Sequence, residues 1–327
     1  MLKVSIVTPT YYRHLELPDY LKCIENQTYK PYEIILVDGA DPGENRTETL
    51  VQSVISSFPI PMNYYRRQGG TAIQRNFGID FASGDILLFV DDDVRLNPNF
   101  IAEICTHFEK DLDKRIGGIT GFRKDRYLNM STNNRWIWYR RLRLLTIFEP
   151  GKYDYKTGYP INNNAQAEFN GVREVDFMTT ACTAYRGEVF QNNFRFDPFF
   201  VGYGILEDAH LSLRIKQKGF NLLQCGDATC VELKSKTGRT DMKIIGERTV
   251  TNYYYVFKTI CGNLTLTQKM RFFRFQAFEL FRAASDIIRF RNNKAIRFFQ
   301  GKVYGIYKVM NTGLKLEVSN YYKIVKL

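Results

Sequence analysis

Short apolar runs alternate with amphipathic stretches over the N-terminal third of the chain. Four runs are short and mostly apolar, as buried strands are, and they are 4–7, 34–37, 62–65 and 86–90. Three stretches between them have apolar positions at helical spacing, and they are 17–26, 44–57 and 71–81. This repeated βα alternation predicts a mostly parallel sheet that is covered by helices.

Three consecutive aspartates, Asp91, Asp92 and Asp93, end the last of these runs. Adjacent carboxylates repel each other unless a cation or several hydrogen-bond donors lie among them. Because open parallel sheets bind ligands beyond the carboxyl ends of their strands, the triplet predicts a Mg²⁺ or Mn²⁺ site. In extended chain, Asp91 and Asp93 would point to one side and Asp92 to the other. Taken alone, an acidic turn that caps a helix starting near Pro98 explains the triplet equally well.

Other candidate residues lie at predicted strand ends and helix starts. Asp38 follows the second strand, where it could accept a hydrogen bond from a nucleobase or simply form an Asp-Gly turn. Arg75, early in the third helix, could clamp a phosphate, pair with the triplet or lie in solvent. Glu207 and Asp208 precede a helix over 209–218, either as a general base or as ordinary first-turn acids.

Composition and motif content exclude several classes of protein. The 327 residues, 44% of them hydrophobic, allow one large globular domain or two smaller ones. No G-x-G-x-x-G follows the first strand and no P-loop motif occurs, so neither dinucleotide nor P-loop phosphate binding is predicted. Six cysteines without C-x-x-C spacing indicate reduced thiols in a cytoplasmic protein. We expect no signal peptide and no membrane-spanning segment.

The positive charge is concentrated in the C-terminal part of the chain. Of the formal net charge of +12, residues 265–327 carry +10, from thirteen Lys or Arg and three Asp or Glu. Phenylalanines and arginines interleave over 270–299, which predicts two helices that are broken near 292–293. This composition suits docking of residues 270–310 on an anionic membrane surface. Packing on the rest of the chain and a homodimer interface are alternatives, and no nucleic-acid partner is expected because no binding motif accompanies these residues.

Together these motifs resemble the nucleotide-sugar-dependent glycosyltransferases of family 2, which have the GT-A fold. The segments that carry the resemblance occur in the family's order, and they are 4–10, 33–39, 72–79, 83–93, 175–177, 196–197, 202–208, 211–214 and 218–220. The resemblance implies an α/β, Rossmann-like GT-A catalytic domain over 1–230 with a central, mostly parallel sheet. A helical, basic and aromatic-rich extension is expected over 231–327, and an acceptor-side insertion over about 123–172.

The resemblance also implies roles for individual residues. It assigns donor binding to residues near the predicted strand ends, which are Thr8, Pro9, Tyr11, Asp38, Arg75, Asp91 and Asp92. Asp93 is implied as the ligand of Mn²⁺ or Mg²⁺, with Asp91 as a second candidate. Asp208, preceded by Glu207, is implied as the base that deprotonates an acceptor hydroxyl for direct, inverting attack.

Some positions depart from the family's pattern. Either Tyr11 or Tyr12 stands where many relatives have an asparagine. Residues 228–236 contain no histidine, a residue with which relatives often contact the diphosphate. Glu232 is the nearest candidate replacement, with a solvated glutamate as the alternative. The Q-x-x-R-W motif of processive synthases is absent, which favours the addition of a single sugar.

Aromatic residues are candidates for contacts with the acceptor. Trp136 and Trp138, in the insertion, could stack on a sugar ring or could pack on the domain. Thr183 and Tyr185 lie on a segment that often lines the acceptor pocket in relatives.

Two functions follow from these observations. The first is a metal-dependent inverting glycosyltransferase that moves a sugar from a UDP or dTDP donor to a glycan or a lipid-linked acceptor. It would act in cell-surface polysaccharide or glycolipid synthesis, in the cytoplasm or peripherally on the cytoplasmic face of the membrane. The alternative is a catalytically weak GT-A-like binding or scaffold protein whose basic tail binds a membrane or a partner.

Overall fold

The computed structural model describes residues 1–233 and 240–312, whose contacts form two compact units. The first unit contains residues 1–133, 149–152 and 161–233, and the second contains 134–148, 153–160 and 240–312. This grouping differs from the expected boundaries, because part of the 123–172 insertion groups with the C-terminal helices. Aromatic packing within the second unit accounts for the difference, since Tyr139 and Tyr159 both contact Phe275.

The described residues form strands, α-helices and three short 3₁₀ turns. The strands are β1 (Val4–Thr10), β2 (Glu33–Asp38), β3 (Met62–Arg66), β4 (Ile86–Val90), β5 (Val94–Leu96), β6 (Ile116–Arg123), β7 (Tyr153–Asp154), β8 (Tyr159–Pro160), β9 (Val172–Val175), β10 (Cys182–Arg186) and β11 (Asn221–Glu232). The helices are α1 (Leu17–Glu25), α2 (Arg46–Val54), α3 (Thr71–Phe81), α4 (Phe100–Lys110), α5 (Asn134–Arg141), α6 (Glu207–Gln217), α7 (Met242–Cys261), α8 (Leu266–Phe290) and α9 (Asn293–Thr312). The 3₁₀ turns are Lys124–Arg126, Asn163–Ala165 and Gly187–Phe190.

A nine-stranded sheet forms the centre of the first unit. Its order is β3-β2-β1-β4-β10-β6-β11-β5, and β9 pairs with β11. Strands β3, β2, β1 and β4 are parallel, whereas β10 runs antiparallel to both of its neighbours. The predicted parallel βα arrangement is therefore confirmed, and the antiparallel β10 makes the complete sheet mixed.

The register of the parallel strands brings their carboxyl ends to one edge. Thr10 lies opposite Asp38, and Val7 lies opposite Phe89 near the end of β4. Helix α3 lies close to β1, since a Cβ on Gly78 would lie 2.3 Å from Val7 Cγ1. The missing side chain of Gly78 therefore allows α3 to pack closely on β1.

The second unit contains α5, the β7–β8 hairpin and the three C-terminal helices. Glycines allow α7 and α9 to lie close together, because a Cβ on Gly301 would lie 2.0 Å from the Lys243 carbonyl oxygen. Helix α8 begins with a capping box between Thr265 and Gln268 and ends at Phe290, and the next residue, Arg291, has left-handed backbone. The predicted break between two helices near 292–293 is confirmed. No helix within residues 1–233 and 240–312 has the length and the hydropathy needed to cross a bilayer.

Candidate active site

The aspartate triplet forms a turn at the end of β4. Val94 N donates a hydrogen bond to the Asp91 carbonyl at 3.0 Å, and β5 begins at the same residue. The backbone is therefore a turn and not the expected extended chain, although Asp92 is buried while Asp91 and Asp93 are partly exposed. The helix-cap alternative is wrong, since β5 separates the triplet from α4.

Arg75 connects the triplet to the start of α6. Its side chain is only 3% exposed, and Nη2 donates to Asp91 Oδ1 at 2.8 Å. Nη1 donates to Glu207 Oε1, which also accepts a hydrogen bond from Thr71 Oγ1 at 2.7 Å. Of the three interpretations left open for Arg75, the structure supports pairing with the triplet.

A glycine contact holds the start of α3 against the loop before α6. Gly202 N donates to the Gly69 carbonyl at 2.6 Å. Gly70 has a φ of +93°, and a Cβ there would lie 2.1 Å from the Gly202 carbonyl oxygen. Only glycine fits this approach, so the backbone places Arg75 and Thr71 beside α6.

Helix α6 begins with Glu207 and Asp208 after a strained turn. Leu206, just before them, has a φ of 67°, which is uncommon for a branched apolar residue. Glu207 is buried, whereas Asp208 is partly exposed, and Asp208 Oδ1 accepts from Ala209 N at 2.7 Å. The turn therefore presents Asp208 to solvent while Glu207 points to the interior.

Burial changes the electrostatics of the acids around the site. The partial burial of Asp208 raises its pKa, and the positive charges of Arg75 and Arg123 oppose that increase. Burial also raises the pKa of Glu207 to about 7, although Arg75 lowers it. Carboxylates with a raised pKa hold a proton more tightly and are stronger bases than ordinary side chains, as a general base requires.

Asp92 and Asp38 are buried beneath the strand edge. Asp92 Oδ2 accepts from Thr10 Oγ1 at 2.7 Å, and burial raises the pKa of Asp92 to about 8. Asp38 Oδ1 accepts from Ala40 N at 2.8 Å, and Oδ2 accepts from the Tyr64 hydroxyl at 2.8 Å. The Asp-Gly turn expected as an alternative at Asp38 is present. A nucleobase contact at Asp38 would use the carboxylate lone pairs that these bonds leave.

The remaining donor-side residues lie in or just after β1. Thr8 and Pro9 are buried, and the Thr8 hydroxyl is hydrogen-bonded to the Tyr20 hydroxyl. Tyr11 is 41% exposed and packs edge-on against Tyr12, with ring centroids 4.4 Å apart. Of these three predicted contacts, Tyr11 alone has an exposed side chain.

Glu232 is part of an ion-pair cluster. Arg123 Nη1 donates to Glu232 Oε2 at 2.7 Å, and Arg126 Nε donates to the same oxygen at 3.1 Å. Glu232 is therefore ion-paired and not a solvated glutamate, and its replacement of the family's histidine stays a prediction. The sequence predictions miss the two arginines, whose only signal is a basic segment directly after a buried strand.

The structure buries three of the four residues considered for the acceptor. Thr183 Oγ1 donates to Thr120 Oγ1 at 2.8 Å, and Tyr185 lies against Phe89 inside the first unit. Trp136 is 5% exposed in the second unit, where it contacts Tyr139, Phe148 and Tyr159. Trp138 is 47% exposed. Thr183, Tyr185 and Trp136 are therefore packing residues and not surface contacts for a sugar.

The acids present are suited to a metal that is shared with a ligand. Burial, together with the charges of Asp91 and Glu232, raises the pKa of the partly exposed Asp93 to about 6. Such crowding of negative charge favours a bound cation, and carboxylate oxygen suits Mg²⁺ or Mn²⁺. Among the described residues, no group of three His, Cys, Asp or Glu side chains is arranged to hold a metal alone. The oxygen ligands and negative charge of Asp91 and Asp93 therefore fit a divalent cation, but among the described residues they do not complete a metal site alone.

Two relatives and a solved structure resemble the chain. Over 101 residues, 29% of this chain and 31% of the relative, it is 34% identical to the GalNAc(5)-diNAcBac-PP-undecaprenol beta-1,3-glucosyltransferase of Campylobacter jejuni. Over 244 residues, 74% of this chain and 70% of the relative, it is 23% identical to the O-antigen chain rhamnosyltransferase RfbN of Salmonella typhimurium. Four relatives, the first of these included, match over only 29% to 39% of their own length.

The solved structure is that of the mannosyltransferase PcManGT from Pyrobaculum calidifontis, in complex with GDP-Man and Mn²⁺. It has a TM-score of 0.56 and 16% identity, and the match covers 94% of this chain and 88% of that chain. At this identity the likeness establishes the fold, which is the expected GT-A fold. The family described as Glycosyl transferase family 2 matches residues 5–194, which is more than half of the chain. The chain therefore belongs to glycosyl transferase family 2.

Proposed function

We propose that the chain transfers a sugar from a nucleoside-diphosphate donor of the UDP or dTDP type to a hydroxyl group of a glycan or lipid-linked acceptor. The observation that carries this proposal is the bridge made by Arg75, which binds Asp91 of the triplet and Glu207 at the start of α6. The bridge joins the acids proposed for the donor to the first turn of α6, which contains Asp208. A donor site and a base thus belong to one hydrogen-bonded arrangement.

Each acid in this arrangement has a separate proposed task. Asp208 accepts the proton of the acceptor hydroxyl as that oxygen attacks the anomeric carbon, and the configuration is inverted. Tyr11, which is exposed, covers the nucleoside, and the buried Asp38 and Asp92 form the floor of its site at the strand edge. Arg75 keeps Asp91 and Glu207 in place and does not itself touch the donor, because its two terminal nitrogens are engaged by these acids.

Asp93 would hold the divalent metal together with the phosphate oxygens of the donor. When bound, Mn²⁺ or Mg²⁺ neutralises the charge on the departing diphosphate. Because Arg75 already occupies Asp91 Oδ1, Asp93 is the better of the two candidate ligands. No covalent intermediate with the chain is needed.

The names of the relatives support the classes of donor and acceptor. The Salmonella relative is named for O-antigen chains, and the Campylobacter relative for an undecaprenol-linked acceptor. The Pyrobaculum structure contains a nucleotide sugar and Mn²⁺. These observations favour cell-surface glycan synthesis as the proposed role, and the missing Q-x-x-R-W motif favours the addition of a single sugar.

A thermal-shift screen of UDP, dTDP and GDP sugars, with Mn²⁺ or with EDTA, tests the proposal. We expect one nucleotide class to raise the melting temperature of the wild type with Mn²⁺ and to do so much less with EDTA. Asp93→Asn should lose the difference between Mn²⁺ and EDTA, whereas Asp113→Asn, at a largely exposed acid, should retain it. If no nucleotide sugar shifts the melting temperature, the donor site is wrong and the scaffold alternative is favoured.

A further inference from the structure

Helix α8 has an apolar stripe on its solvent side. Four large apolar side chains on it are strongly exposed, and they are Leu266 (74%), Met270 (64%), Phe281 (71%) and Ile288 (75%). At about 100° per residue these positions fall within a narrow arc of the helix, and the exposed Ala277 lies in the same arc. We call these five residues the α8 stripe. Soluble surfaces rarely expose so continuous an apolar stripe without a binding role.

The opposite side of α8 is fully occupied by packing inside the second unit. Phe272, Phe275 and Ala283 are buried there. Glu279 is also buried on that side, and it accepts hydrogen bonds from Arg135 Nη2 and from the Tyr139 hydroxyl, each at 2.7 Å. The interior of the unit is therefore complete without the α8 stripe.

Cations without acidic partners surround the stripe. Five basic residues on α8, at its end and at the start of α9 have no carboxylate partner within the described residues, and they are Lys269, Arg271, Arg289, Arg291 and Lys294. The two acids of α8, Glu279 and Asp286, are both bound by Arg282. Helix α9 contains no Asp or Glu. The rim of the α8 stripe is therefore positive.

We propose that the α8 stripe docks on an anionic membrane surface, with its apolar side chains in the acyl boundary and its rim cations at the lipid headgroups. A bilayer of anionic lipid supplies both an apolar layer and negative charge, which matches the arrangement. Docking against a second copy of the chain is less suitable, because a two-fold contact would bring two positive rims together. Long basic side chains can extend from the edge of the stripe to the headgroups.

Co-sedimentation of the full chain with vesicles tests this proposal. We expect the wild type to bind vesicles of phosphatidylcholine with phosphatidylglycerol, and to bind pure phosphatidylcholine vesicles much less. Phe281→Ser combined with Ile288→Ser should weaken binding by about tenfold or more. Arg289→Glu combined with Lys294→Glu should weaken binding by at least about fivefold for each charge removed, and more in low salt.

Matched controls use residues of the first unit. Leu112→Ser removes an apolar side chain that is 88% exposed, and Arg115→Glu reverses an exposed charge, and both variants should bind vesicles like the wild type. All variants should keep their melting temperature and their response to a nucleotide sugar, because the α8 stripe is outside the donor site. If the proposed donor site is wrong, the vesicle experiment still tests the α8 stripe, because it does not depend on nucleotide binding.

Two results would overturn the proposal. The first is equal binding of the wild type and the Phe281→Ser/Ile288→Ser variant to anionic vesicles, or no binding by either. The second is a wild-type dimer in sedimentation velocity that the same variant disrupts, with no vesicle binding by the wild type. That second result would assign the α8 stripe to another copy of the chain.

Discussion

Arg75 Nη2 lies 2.8 Å from Asp91 Oδ1, and this ion pair joins α3 to the turn after β4. The same guanidinium binds Glu207, so a single buried cation neutralises acids from two distant parts of the sequence. Without it, the acids at the strand edge and at the start of α6 would repel each other. The geometry of the proposed active site therefore depends on one side chain that is not proposed to touch the substrate.

Replacement of Arg75 should destabilise the first unit. Arg75→Met leaves Asp91 and Glu207 without their cation, and the loss of one member of a buried ion pair costs about 3 to 5 kcal/mol. Arg75→Lys should restore only part of this, because one ammonium group cannot form both contacts in the guanidinium geometry. The free energy of unfolding from urea denaturation measures both effects.

Arg46 provides the control for this experiment. It pairs with Glu44 on the surface and its side chain is 60% exposed. Arg46→Met should change the free energy of unfolding by less than about 1 kcal/mol, as is usual for a surface pair. Equal losses in Arg75→Met and Arg46→Met would show that the buried bridge is not a structural requirement.

Asp38 should affect nucleotide affinity more than stability. Asp38→Asn removes a charged acceptor and should weaken UDP or dTDP binding by about tenfold or more in calorimetric titration. Tyr64→Phe removes only the hydrogen bond to Asp38 Oδ2, so affinity should remain within about threefold of the wild type. A lower melting temperature for Asp38→Asn with unchanged nucleotide affinity would mean that Asp38 only stabilises the local fold.

Local sequence patterns predict the parallel half of the fold well. The bounds of β4 and α3 match the apolar run at 86–90 and the helical spacing over 71–81, because both depend on neighbouring residues. The position of β10 between β4 and β6 is not predictable in this way, since it depends on pairing between residues far apart in sequence.

The sequence predicts where the acids lie in the fold, but not how buried the other candidate residues are. The acids at 91–93 and at 207–208 do lie at a strand end and a helix start, as expected. The sequence does not show which aromatic candidates are buried, and in the structure Tyr185 and Trp136 lie in packed interiors. Glu232 could not be interpreted without Arg123, because their contact joins two strands that are separate in the sequence.

The acidic limb of the pH profile should move when Arg123 is neutralised. The charge of Arg123 lowers the pKa of Asp208, which burial raises. Arg123→Gln should therefore shift the acidic limb of kcat/KM to higher pH, because the base remains protonated over a wider range. Arg126→Gln removes the other arginine from Glu232 and serves as the control, with a smaller shift expected. If the acidic limb is unchanged in Arg123→Gln, the ionisation of Asp208 does not set that limb.

Asp92 should make the metal-free protein less stable as the pH rises. Burial raises the pKa of Asp92 to about 8, whereas the unfolded chain has a value of about 4. Between these values the folded state binds more protons, so the free energy of unfolding falls with increasing pH. Asp92→Asn resembles the protonated acid and should match the wild type below about pH 4, where Asp92 is protonated in the folded and the unfolded state.

Above about pH 8 the Asp92→Asn variant should be more stable than the wild type, by on the order of a few kcal/mol. Urea denaturation in chelator at both pH values measures the difference. Asp113→Asn, at an acid that is 76% exposed, should show no such dependence. A wild type and an Asp92→Asn variant with parallel pH dependence would contradict the burial of an acid at this position.

The turnover of the nucleotide sugar by Asp208→Asn tests the account most directly. Donor affinity should be retained, because Asp208 is not proposed to bind the donor, and the variant should fold like the wild type. The transfer rate at saturating donor should fall by about 10² to 10⁴, the usual contribution of a positioned general base. Transfer by Asp208→Asn at the wild-type rate, with donor binding intact, would contradict the account.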